Sequence, residues 1–191
     1  MSIDKQLERV SAGQKTNVIF DFDETLCTLH IDWGGWSNRM AEAIRRYDPE
    51  FRGYPSAEEL NGLVHRYGQN FRQDMIEANA LAEREFFSGY SRNDNALEFL
   101  RRVSNYAQVH LWTSNDRRTV EPILQELDIA GLFRHTVFNN DVTFMKPDPD
   151  GMRYINSEGL PVTEFLFYGD SAYDRGACEA AGIEFVHIGL L

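Results

Sequence analysis

Residues 17–22, NVIFDF, form a short apolar run rich in β-forming side chains, and a run of that length between polar flanks reads as a buried strand. Beyond residue 30 the apolar spacing lengthens to that of a helix: Trp36, Met40, Ala43, Ile44 and Tyr47 share one face. Pro49, Gly53 and Pro55 break the pattern, and Ser56 with Glu59 has the spacing of a capping box ahead of ELNGLVHRY. NFRQDMIEANALAEREFF then continues the helical texture.

From Asp94 onward helices and strands alternate. Asp94 is placed to cap NALEFLRRV, YAQVHLWT reads as a strand, and residues 116–128 read as a helix that Pro122 would kink if it begins early. HTVFN, FLFYG and EFVHI read as further strands, separated by a helical stretch around 152–158 and a helix in AYDRGACEAAG. Strands alternating with helices predict βαβ units, a parallel sheet and right-handed crossovers. The expected fold class is therefore α/β, a doubly wound, Rossmann-like parallel sheet. The helical block interrupts the alternation after the first strand, so it reads as an inserted α-helical cap over residues 30–92, with residues 1–29 and 93–191 forming the core.

Composition narrows the function classes. Hydrophobic residues make up 42% and aromatics 13%, enough for a sizeable core and too much for disorder. A formal charge of -11 repels phosphate backbones and anionic lipid, which argues against nucleic acid or a membrane as partner of the surface as a whole. A small phosphorylated metabolite stays compatible, because a lysine and a metal ion can reverse the potential inside a pocket. No apolar run approaches the roughly 20 residues of a membrane helix. The polar start MSIDKQLERVSAGQKTN lacks the apolar stretch of a signal peptide, so the expected location is the cytoplasm. Cys27 and Cys178 read as free buried thiols. Nothing in the sequence speaks to oligomeric state.

In an open parallel sheet, ligands bind beyond the carboxyl ends of the strands. Here those ends carry Asp21 and Asp23, then Thr113 and Ser114, then Lys146, then Asp170 with Asp174 one helical turn on. Carboxylates packed together repel unless a cation neutralises them, and hard oxygen ligands without neighbouring His or Cys favour magnesium. Lys146 and the hydroxyls could hold phosphate oxygens, and a carboxylate can attack phosphorus directly.

With these residues in place, the chain resembles the haloacid dehalogenase superfamily, in its capped small-molecule phosphatase branch, which includes phosphoglycolate phosphatases. DFDETL resembles the DxDx(T/V) motif, Thr113 the Thr/Ser motif, Lys146 the lysine motif and GDSAYD the GDxxxD motif, in the family's order. The resemblance implies strand order 5-4-1-2-3 with the first strand central. It implies Asp21 as nucleophile and metal ligand, and Asp23 as general acid and then general base, with its backbone carbonyl on the metal. Asp170 would bind Mg2+ directly, Asp174 would orient water around the ion, and Thr113, Ser114 and Lys146 would hold the phosphate. An acid at position 23 separates phosphatases and phosphomutases from dehalogenases; the phosphatase reading comes first, with a phosphomutase, a protein phosphatase or a non-catalytic binding protein on the same fold as alternatives.

Single residues carry blander readings beside these. Asn115 or Asp116 suits a helix cap. His110 and His187 read as structural residues within strands, and His135 as a surface residue. Glu24 stands where many metabolic phosphatases of this kind carry Gly. Arg39, Arg45, Arg46, Arg66 and Arg72 could meet a second anionic group, but helical arginines more often make solvated faces and surface ion pairs.

Overall fold

The structure is a computed structural model that describes residues 3–13 and 15–190. Residues 1, 2 and 191 of the expected core range, and residue 14 within it, lie outside the described residues. Five short strands, β1 (Asn17–Phe20), β4 (Gln108–Trp112), β5 (Phe133–Val137), β6 (Phe165–Gly169) and β7 (Glu184–His187), pair in parallel throughout. Helices α4 (Asp94–Val103), α5 (Arg117–Glu126), α6 (Met152–Ile155) and α7 (Ala172–Ala181) connect them, and α1 (Ile3–Ser11) precedes β1.

Strand β1 is buried on both faces, and its period of two divides the core. Val18 and Phe20 face a cluster built with Leu7, Val10, Leu97, Phe99, Leu100, Val120 and Ile123 from α1, α4 and α5. Ile19 faces the opposite cluster, with Trp112, Phe165, Phe167, Met152, Ala177 and Cys178. The same second cluster takes in Met40 and Ile44 of α2 (Trp33–Ile44) and Leu60, Phe71 and Met75 of α3 (Ala57–Phe86). The inserted helices therefore pack on one side of the sheet, over the carboxyl ends of its strands.

Two expectations need adjusting. Numbered over every strand of the chain the sheet order is β5-β4-β1-β6-β7, because two strands that the sequence reading missed intervene; counted over its own five strands alone, the sheet has the expected order 5-4-1-2-3 with the first strand central. The two missed strands are β2 (Cys27–Ile31) and β3 (Phe87–Arg92), a separate antiparallel pair at the base of the insertion, just after the first motif and at the end of the block read as a helical cap. Both are short and part exposed, and β3 contains Gly89, so neither carries an apolar run. The second correction concerns a helix start. Asn93, not Asp94, caps α4, its side chain accepting from Ala96 N–H at 3.3 Å.

Other features follow the pattern. Ser56 caps α3 by accepting from Glu59 N–H at 3.2 Å. Gly68 divides α3 where ELNGLVHRY gives way to NFRQ, with φ 78°, in the left-handed region that glycine tolerates. Asp116 caps α5. Cys27 and Cys178 are free and buried. Among the described residues no helix is long and apolar enough to cross a membrane.

Candidate active site

The first strand delivers Asp21 to the sheet edge. Its N–H still donates to Tyr168 O at 3.0 Å, as a further rung of the β1–β6 ladder. The chain then turns sharply: Phe22 O accepts from the N–H groups of Thr25, Leu26 and Cys27, and Glu24 adopts φ 56°. A left-handed backbone at a non-glycine residue is a local cost. The turn aims Asp23 back toward the edge, where its Oδ1 accepts from Leu29 N–H at 2.6 Å.

Strand β6 supplies the second group. At Gly169 a Cβ would lie 2.6 Å from Asp174 Oδ2, so only glycine lets α7 start this close to the sheet. Ser171 and Asp174 form a reciprocal capping box: Asp174 Oδ2 accepts from Ser171 N–H at 3.0 Å and from Ser171 Oγ at 2.7 Å. The other oxygen, Asp174 Oδ1, accepts from Lys146 Nζ. Lys146 also donates to Asp21 Oδ1 at 2.7 Å and to Trp112 O at 3.0 Å, which uses all three protons of its buried ammonium. Asp170 lies beside this pair, accepting from Thr25 Oγ1 at 3.4 Å.

Asp21, Asp170 and Asp174 each offer a carboxylate oxygen within 4.8 Å of the others. Three carboxyls thus share one ammonium. Burial raises the pKa of Asp21, Lys146 pulls it down, and Asp174 and Asp170 push it further up. Burial and Asp174 likewise raise that of Asp170. For Lys146, burial favours the neutral form, but Asp174 and Asp21 outweigh it and hold the ammonium charged. Burial pushes Asp23 up to about 6, against the Leu29 N–H that favours its carboxylate. An all-oxygen donor set short of positive charge fits a hard divalent cation.

Asp21, Asp23, Ser114, Lys146, Asp170 and Asp174 all line one cavity of ≈ 310 Å³, roofed by α2 and α3. Thr113 does not. It is buried behind the wall, its Oγ1 donating to Asn115 Oδ1 at 2.8 Å and accepting from Asn115 N–H at 3.2 Å. Ser114 and Asn115 reach the cavity in its place.

A family model described as haloacid dehalogenase-like hydrolase matches residues 18–188. The chain belongs to this family. A phosphoglycolate phosphatase of Pseudomonas syringae pv. tomato is 31% identical over 106 residues, covering 54% of this chain and 38% of that protein. The chain therefore spans well under half the length of that relative. A haloacid dehalogenase-superfamily hydrolase of Geobacter sulfurreducens superposes with a TM-score of 0.55 at 21% identity, covering 91% of this chain and 87% of that one. A family hydrolase of Bacillus subtilis, solved bound to magnesium, gives 0.51 at 13% identity, covering 90% and 86%.

In this family member the cap arginines are engaged within the protein. Arg39 pairs with Glu42 and Glu85, Arg46 with Asp74 and Arg66 with Asp48, while Arg45 donates to Phe51 O. Buried Arg72 donates to the carbonyls of Asn139 and Val142. The sequence reading missed a polar chain on the cap side of the cavity. Trp36 Nε1 donates to Asn79 Oδ1 at 2.9 Å, Asn79 Nδ2 to Glu83 Oε1 at 3.0 Å, and Asp116 N–H to the same Glu83 oxygen at 3.1 Å. Its signal was Asn79 and Glu83, four apart in an otherwise apolar helical stripe. Burial pushes Glu83 up to about 7.

Proposed function

We propose that this chain is a magnesium-dependent phosphatase that hydrolyses a phosphate monoester of a small metabolite, with Asp21 as nucleophile. The observation that carries the reading is Asp21 itself, buried at the cavity wall with one oxygen fixed by Lys146 and Asp170 alongside. Magnesium would be held by Asp21, Asp170 and the backbone carbonyl of Asp23, and when bound it supplies the positive charge that three carboxyls and an incoming phosphate lack.

The chain's own groups account for the rest. Ser114 offers a donor to the phosphoryl oxygens and Lys146 supplies positive charge beside them, with Thr113 closing the loop behind Ser114. The free oxygen of Asp21 attacks phosphorus in line, forming an aspartyl-phosphate as the bond to the ester oxygen breaks. Asp23, raised toward neutrality, gives its proton to the departing alkoxide. The resulting Asp23 carboxylate takes a proton from water attacking the phosphoryl group, which frees inorganic phosphate and restores Asp21. Asp174 positions Lys146, since both its oxygens are engaged by Lys146 and Ser171. Phosphoglycolate phosphatase as the name of a relative supports the monoester class, and the magnesium in a structural neighbour supports the ion. Asp21→Asn should abolish phosphate release while circular dichroism stays native; turnover retained in that variant would remove the mechanism. Recovery of free phosphate, not an isomerised ester, separates this reading from a phosphomutase.

A further inference from the structure

The cavity above Asp21 has a composition that selects among phosphate esters. Asp21, Asp23, Glu24, Glu83, Asp170 and Asp174 bring carboxyls to its wall, and Lys146 and Arg72 are the cationic side chains among its lining residues. Both cations are engaged within the protein. Lys146 is committed to Asp21, Asp174 and Trp112 O. Arg72 is 4% exposed and donates through Nη2 into the loop after β5, to Asn139 Oδ1 at 2.6 Å and Val142 O at 3.0 Å. The cap's other candidate arginines do not line the cavity.

On the cap side the wall is largely apolar, with Asn61, Asn79 and Glu83 among its polar members. Trp36, Met40, Val64 and Met75 form its inner part, and Trp33, Tyr54 and Tyr173 ring the mouth with 39%, 58% and 37% of their surface exposed. Trp33 meets Trp36 edge to face at 5.6 Å between ring centres. The indole of Trp36 is pinned through Asn79 and Glu83 to the start of α5, so the wall is a fixed surface tied to the core. A carboxylate placed against it would lose hydration and would sit near like charges. An uncharged hydrocarbon would gain by burial there.

Resting on the monoester-phosphatase reading, we propose that the substrate is a phosphate monoester of an uncharged, apolar alcohol, its organic part seated against Trp33, Trp36, Val64 and Met75, and that phosphorylated carboxylic acids such as phosphoglycolate are poor substrates. The chain would then differ in specificity from the relatives whose name it approaches by sequence.

The test compares kcat/KM of the full chain with magnesium on 2-phenylethyl phosphate, n-butyl phosphate and phosphoglycolate, all with alkoxide leaving groups, using acetyl phosphate as a general phosphoryl donor. The expected order is phenylethyl, then butyl, then phosphoglycolate, with ~10-fold or more between first and last, the scale on which an apolar pocket discriminates. Trp33→Ala and Tyr54→Ala, at exposed positions that leave the core intact, should each lower kcat/KM for 2-phenylethyl phosphate by about 3-fold or more relative to that for phosphoglycolate, as loss of apolar contact area implies. Phosphoglycolate matching or exceeding the aryl-alkyl ester overturns the proposal while leaving the phosphatase reading in place. Equal losses on both esters in the two variants also overturn it. No phosphate release from any donor, acetyl phosphate included, removes the phosphatase reading itself.

Discussion

Asp23 performs two tasks in the proposed reaction with one carboxyl, as acid toward the leaving alkoxide and as base toward water, and its pKa near 6 lies between them. The first step needs it protonated, so kcat/KM for an alkyl ester should fall as pH rises above about 6; the second needs it ionised, so turnover should fall below. Asp23→Ala should lower kcat/KM for n-butyl phosphate by ~10²–10⁴, the usual contribution of general acid catalysis, and that for p-nitrophenyl phosphate, whose phenolate leaves unaided, by far less. Equal losses on both esters would contradict the acid role. At this scale the placement of Asp21, Asp23, Asp170 and Asp174 at the sheet edge was legible in the sequence, because they follow the apolar strands β1 and β6, whereas that of Lys146 rested on the order of the motifs. That of Thr113 was not legible. Whether Thr113, Ser114 or Asn115 faces the cavity depends on how the loop closes, and the Thr113–Asn115 hydrogen bonds decide that.

Among the elements, α3 carries the least expected feature, a carboxyl buried where the cap meets the core. Glu83 accepts from Asn79 and from Asp116 N–H, and burial raises its pKa from 4.5 to about 7. Between those values the folded chain binds more protons at this site than the unfolded chain, so its contribution to stability is fully present below pH 4.5 and is lost as pH rises through 7. Unfolding by urea at pH 5 and pH 8 should show the wild type losing on the order of 2–3 kcal/mol from this group, and Glu83→Gln should remove that part of the slope. Parallel curves for the two proteins would show that Glu83 titrates normally. Helices were legible here from capping and spacing: Ser56, Gly68 and Asp116 stand where the pattern breaks. The β2–β3 pair was not, since its alternation is short and one partner is mostly exposed, leaving only tertiary contacts to define it.

For the whole molecule, a net charge of -11 and three carboxyls around one ammonium mean that a cation bound as proposed would stabilise the folded state. On the proposed reading, magnesium at about 100 times its Kd should contribute ~2.7 kcal/mol, which at this chain length corresponds to a rise in Tm of about 5–10 °C. Asp170→Asn should suppress the rise, and an undiminished rise in that variant would place the ion elsewhere. The layered architecture was legible at this scale because alternating strands and helices leave few ways to bury both faces of a parallel sheet. The cavity's apolar roof was not, because it depends on how α2 and α3 pack over the strand ends.

The most direct measurement is acid quenching of the enzyme during turnover of a ³²P-labelled monoester, followed by borohydride reduction and peptide mass spectrometry. The account predicts acid-stable label on the protein and conversion of residue 21 to homoserine, with neither in Asp21→Asn. Label on a different residue, or phosphate release at full rate with no labelled enzyme at any quench time, would contradict it.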